Sequence, residues 1–232
     1  MWIWDSLVIN PLSLILNTAN NWTHDYGATI VVFTLIVRGI LFPLAIKQQK
    51  SMKEMQKIQP LLAAIQAKYK NDKEKLSQET MKLYQEHKVN PAGGCLPMLV
   101  QLPILIGLYQ VILKYPDIMN FPLFGTTFMN LKEIPNFNQP SILWLLPILA
   151  GATTYISSKM MTAANATSNQ NEQAAQMTKS MNNIFPIMTA FISFSVPAGL
   201  GFYWVVSNLL MILQQYLLNK FFHFNPKEGL IK

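Results

Sequence analysis

"LIVRGILFPL", residues 35–44, sets an arginine inside a stretch whose composition suits lipid. The surrounding apolar segment runs from about 27 to 46, and Arg38 is its one charge. A helix needs roughly 20 mostly apolar residues to cross the hydrocarbon core of a bilayer, so this segment reads as a membrane span. Insertion scales put a central arginine at about 2.5–3.5 kcal/mol, and such a residue persists only where it faces protein or water. The remainder of the chain must therefore supply a polar interior.

Composition agrees with a membrane protein. Of 232 residues, 51% are hydrophobic and 12% charged, where a soluble domain carries about 25%. Four further stretches read as spans, at about 94–113, 141–158, 184–199 and 200–219. The last two meet at "SVPAGLGFYW", where Pro197, Gly199 and Gly201 signal a tight helical hairpin. The fold class expected is thus an all-α membrane protein of five transmembrane helices. The loop 47–93 carries ten lysines, the segment 1–26 carries neither Lys nor Arg, and the loop 114–140 has only Lys114 and Lys132. The excess of positive charge on cytoplasmic loops then places the N-terminus outside and the 47–93 loop, the 159–183 loop and the 220–232 tail in the cytoplasm. The net charge of +7 reads as this topology signal, with no specific nucleic-acid sequence implied. The lone Cys95 and the widely separated His24, His87 and His223 offer no disulfide, metal site or cofactor site.

Residues 1–26 lack the basic start of a signal peptide, and Asp5 and Asn10 interrupt them. They read as an amphipathic helix lying in the membrane interface, with Asn10 as its cap, Pro11 in its first turn, and Leu12, Ile15, Leu16 and Ala19 on one face. The same helix packed against its own bundle is the alternative. Within 47–93, Met55, Ile58, Leu62, Ile65 and Tyr69 form a heptad-like stripe, and Leu76, Thr80, Leu83 and His87 repeat it. With "KNDKEK" (70–75) between them, the two runs predict an antiparallel helical hairpin. Pro60 predicts a kink or a fresh helix start in the first arm. "VNPAGG" (89–94) predicts the break before the second span.

No Asp or Glu lies in any of the five expected spans, so Arg38 has no acidic partner there. Polar side chains elsewhere in the spans suggest a water-filled cavity around it. The candidate lining residues are Arg38, Gln101, Tyr109, Thr154, Ser157, Trp204, Asn208 and Gln215; Trp204, Asn208, Met211 and Gln215 share one helical face. Taken singly, each is also explained as interhelical glue. There is no Walker loop, nucleotide fingerprint or nucleophile–base pair, and no enzymatic chemistry is expected. The absence of an intramembrane carboxylate argues against proton- or cation-coupled transport.

Three runs carry a resemblance: "IVRGILFPL" (36–44), the stretch 57–109 that ends "NPAGGCLPMLVQLPILIGLY", and "FPIMTAFISFSVPAGLGFYWVVSNLLMILQQ" (185–215). The chain resembles the YidC/Oxa/Alb-type membrane protein insertases, in the five-span form of Gram-positive bacteria, from about residue 5 to 220. The resemblance implies a hydrophilic groove, open to the cytoplasm and to lipid, whose conserved positive residue corresponds to Arg38. It implies substrates sliding along the second and fourth spans, here 94–113 and 184–199, and a mobile cytoplasmic hairpin at about 50–88. It implies insertion of small membrane proteins, alone or with the Sec translocon. Nascent substrates and membrane lipids are the expected partners, with the ribosome and signal-recognition machinery as candidates at the hairpin and tail. Some members are lipoproteins, and this sequence shows no lipobox. The alternatives are an anion-selective channel or transporter and a structural assembly scaffold.

Overall fold

The computed structural model describes residues 2–90, 96–114, 133–136, 140–163 and 172–221. All regular structure among them is helical. Most of the 114–140 loop, much of the 159–183 loop, the tail after 221 and the expected break at 91–94 lie outside the described residues.

The chain opens with a short helix α1 (Trp2–Trp4), a π-helical turn (Asp5–Ile9) and α2 (Asn10–Thr23). Asn10 is not a cap. Its backbone is already helical, and its N–H donates back to the Asp5 carbonyl. That five-residue span widens the turn just ahead of Pro11, whose ring cannot donate to the ladder. Nor does the segment rest only on an interface. Ile9, Leu12 and Leu16 join the main core together with Tyr26, Ile30 and Phe33. Gly107 makes this docking possible: a Cβ there would fall 2.6 Å from Val8 Cγ1 and 2.7 Å from Leu12 Cδ1. Trp4 Nε1 fixes the contact by donating to Gln110 Oε1 at 2.7 Å. His24 ends α2 in the left-handed region (φ 50°).

Asp25 caps α3 (Tyr26–Lys68) by accepting from the Ala28 N–H at 2.9 Å. At about 1.5 Å per residue these 43 residues extend about 65 Å, far more than a bilayer core requires. The helix passes the expected boundary at 46/47 without a break and carries both Pro43 and Pro60 inside it. No fresh helix starts at Pro60. That residue is exposed, so the carbonyl it leaves unpaired can turn to solvent. Asp72 caps α4 (Lys73–Glu86) by accepting from Lys75 N–H at 3.1 Å. The helix then folds back on α3 around buried Ile58, Leu83 and Val89, with Met55, Leu62, Ile65 and Tyr84 beside them.

Next come α5 (Leu96–Lys114), a 3-10 turn (Ile142–Trp144), α6 (Leu145–Ala163), α7 (Glu172–Ser193) and α8 (Ala198–Phe221). The turn between α7 and α8 is tight, but the two helices do not pack along each other as a simple hairpin pair. Both pack along α6 instead. Gly151 admits α7 closely, with Ala190 Cβ 3.0 Å and the Pro186 carbonyl 3.2 Å from where a Cβ would sit.

Large apolar side chains cover much of the outer surface, and polar side chains lie inside beside the apolar core. Leu35, Ile36, Ile40 and Phe42 on α3, Ile187 and Phe191 on α7, and Leu209 and Leu213 on α8 face outward. Thr34, Thr153, Thr154, Ser157, Thr189, Ser193, Ser207 and Asn208 are buried. Among the described residues one helix, α3, is long and apolar enough to cross a membrane; shorter apolar helical stretches occupy Leu99–Lys114 and Asn183–Ser193.

Candidate functional site

The face of α3 that carries Arg38 repeats every three or four residues through Thr34, Leu41, Ala45, Gln48 and Met52. It looks across a cavity of about 100 Å³ toward Tyr203, Ser207, Met211, Gln214 and Leu218 of α8, with Val100, Gln101 and Ile104 of α5 forming the third wall. A cavity of this size holds several water molecules.

Arg38, the chain's single arginine, projects into this space. Its Nη2 donates to Ser207 Oγ at 2.9 Å. Its Nε is buried without a protein acceptor. Gln101 Nε2 donates to Tyr203 Oη at 2.9 Å, tying α5 to α8 beside the guanidinium. At the far end Gln49 is buried and donates to Asn219 Oδ1 at 3.1 Å, a clasp between α3 and α8. Gln215 Nε2 is a second buried donor without a protein acceptor. None of the described residues lining the cavity is acidic. The walls therefore hold one fixed cation and two buried donors without acceptors, Arg38 Nε and Gln215 Nε2, an arrangement that attracts oxygen-rich groups.

Of the residues singled out from the sequence, the structure brings Arg38, Gln101 and Gln215 to this cavity. Thr154 and Asn208 meet elsewhere: Asn208 Nδ2 donates to Thr154 Oγ1 at 2.8 Å and to Thr153 Oγ1 at 3.2 Å in a buried seam between α6 and α8. Ser157 lies in the same seam and donates to the Thr154 carbonyl at 3.0 Å. Tyr109 is on the outer surface of α5, and Trp204, half-buried, lines no part of the cavity. The face Trp204–Asn208–Met211–Gln215 is thus split, Asn208 serving α6 while Met211 and Gln215 serve the cavity. Sequence reasoning counted Tyr203, Ser207 and Gln214 among the polar residues of the last span without singling them out as lining, and did not place Gln48, Gln49 and Thr34 in the site. The signal for the α3 residues was helical register: Thr34 and Gln48 fall on the Arg38 face at 3-4 spacing, through Leu41 and Ala45.

Arg38 and Gln214 also back a second, apolar groove on the outer surface between α3 and α8. Its volume is about 370 Å³, and Leu35, Phe42, Leu213 and Leu217 line it. Gly39 contributes the open space: a Cβ there would meet nothing within 4 Å. The guanidinium thus lies between a chamber whose polar groups are set among apolar side chains and a more apolar outer face.

Comparison with known proteins gives the following similarities. The sequence model of a family described as "60Kd inner membrane protein" matches residues 18–226. The chain is 43% identical over 211 residues to the membrane protein insertase YidC of Fusobacterium nucleatum, covering 90% of this chain and 93% of that one. It is 40% identical over 223 residues to the membrane protein insertase YidC of Oceanobacillus iheyensis, covering 94% and 84%. It is 39% identical over 220 residues to the membrane protein insertase MisCA of Bacillus subtilis, covering 93% and 78%.

Proposed function

The chain belongs to the 60Kd inner membrane protein family, and from that premise we propose that it is a membrane protein insertase that passes the polar tail of a substrate through the Arg38 cavity. The observation that carries the mechanism is a half-buried guanidinium whose Nε is enclosed without an acceptor and whose one partner among the described residues is a neutral hydroxyl, Ser207. A carboxylate on the tail of a nascent membrane protein supplies the missing counter-charge. In a site of lowered dielectric that attraction is several-fold stronger than in water. Hydroxyls and amides on α5 and α8 replace part of the hydration that the tail gives up. The apolar part of the substrate partitions into lipid, at about 25 cal/mol per Å² of buried apolar surface, and drives the process without a nucleotide. No covalent bond is made or broken.

In this reading five spans cross the membrane, with the N-terminus outside and the α3–α4 hairpin in the cytoplasm. The exposed apolar residues of α3, α7 and α8 and the distribution of lysines support that arrangement. The substrate's apolar segment moves along α5 and α7. The hairpin, which presents Lys57, Lys68, Lys70, Lys73, Lys75 and Lys82, recruits the ribosome, the signal-recognition machinery or the Sec translocon.

The test is insertion of a single-span substrate into liposomes containing the purified protein, with Arg38 intact or changed to Lys, Ala or Glu. Substrates with acidic and with neutral tails are run in parallel. The reading requires Lys to retain insertion, Ala to fail selectively on acidic tails and Glu to fail most. Equal insertion of both substrates by all four proteins would overturn it.

A further inference from the structure

The cavity contains more than a charge. Two glutamine pairs, Gln48–Gln49 on α3 and Gln214–Gln215 on α8, face each other beyond Arg38. Gln49 is committed to Asn219. Gln215 Nε2 is buried and has no protein acceptor, and a buried donor left in that condition is costly. The carboxylate that suits Arg38 does not account for Gln215. A neutral primary amide gains most from a group that both accepts and donates, because it offers two N–H donors and a carbonyl. A peptide group has that character, and an extended chain presents one at every residue.

We propose that Gln215, flanked by Gln214 and Gln48, binds the backbone peptide groups of the tail during its passage. This rests on the insertase reading and deepens it. Arg38 selects the tail by charge, and the amides hold any tail whatever its side chains. Backbone recognition explains how one chamber serves tails of unrelated sequence: what it binds is the part of the chain common to all of them.

The experiment uses the full-length protein in liposomes and a single-span substrate made with an ordinary tail or with esters replacing several consecutive tail amides. An ester lacks the N–H and is a poorer acceptor. Q215L should slow acidic-tailed and neutral-tailed substrates by the same factor, about tenfold if one hydrogen bond of ordinary strength is lost. The ester tail should insert more slowly than the amide tail in the wild-type protein, and Q215L should add little to that loss. Q215N, which keeps the amide on a shorter stem, should recover part of the Q215L loss. R38A remains the comparison, because its loss is confined to acidic tails. Independent, fully multiplied effects of Q215L and the ester would overturn the proposal. So would a Q215L defect confined to acidic tails, which would make Gln215 an accessory of Arg38. If the wild-type protein inserts neither amide-tailed substrate, the insertase reading itself is what fails.

Discussion

Arg38 and Asn208 show how similar intramembrane polarity serves two ends. Among the described residues Arg38 keeps an unpaired Nε and a single neutral partner, and in the proposed function its charge meets the substrate tail. Replacing it with Ala should slow insertion of an acid-tailed substrate at least tenfold, equivalent to about 1.4 kcal/mol of lost attraction, while leaving neutral tails near the wild-type rate. Initial insertion rates on the two substrates read this directly. Asn208 spends its Nδ2 on Thr153 and Thr154. N208L should remove the donor to Thr154 Oγ1, while Thr153 keeps its bond to the Leu149 carbonyl, and lower stability by about 1–3 kcal/mol without altering the ratio of acid-tailed to neutral-tailed insertion. Thermal unfolding in detergent micelles measures the first effect and the insertion ratio the second. Both residues were legible in the sequence as polar groups in apolar helices. Which of them faces a cavity was not, because Ser207 and Asn208 point about 100° apart on α8 and only the packing of neighbouring helices decides what each direction meets.

At the scale of elements, the continuity of α3 is the main departure from the sequence expectation. Span and hairpin arm were read as separate because composition changes from apolar to lysine-rich near residue 46. Backbone hydrogen bonding ignores that change. A helix continues while each residue tolerates it, and no Gly follows Gly39 before α3 ends. Arg38 and the hairpin are therefore carried on one helix. The hairpin itself has a small core, centred on Ile58, Leu83 and Val89. L83D should bury a carboxylate there and release α4 from α3. Spin labels at Glu54 and Glu86 should report a broadened distance distribution, with the helices that wall the cavity unaffected. Insertion of substrates that depend on the hairpin for recruitment should fall, and an unchanged rate would reduce the hairpin to a topology signal.

For the whole molecule, the apolar outer surface separates two environments that look alike in a burial profile. Phe191 on α7 and Leu61 on the hairpin arm of α3 are both exposed large hydrophobics. If α7 lies in lipid and the hairpin in water, F191K should cost about 2.5–3.5 kcal/mol of membrane integration, while L61K should stay within about 0.5 kcal/mol of the parent. The yield of each variant in the membrane fraction after alkaline extraction distinguishes them. Equal yields would contradict the five-span arrangement.

The sequence by itself determined the helical class, the inward placement of a charge, and the pairing of stripes in the hairpin. Each follows from local composition and from a 3.6-residue period that a chain displays before it folds. The "NPAGG" and "PAGLGFYWVVSN" runs were specific enough to point to the family. Tertiary structure alone decided that the N-terminal helix docks on α5, because this depends on Gly107 meeting Val8 and Leu12 across some 95 residues of sequence. It alone divided the polar residues of α8 between cavity and seam, and brought Gln48 and Gln49 to the chamber. Those outcomes depend on which neighbour covers each helical face, and periodicity specifies a face without naming what lies against it.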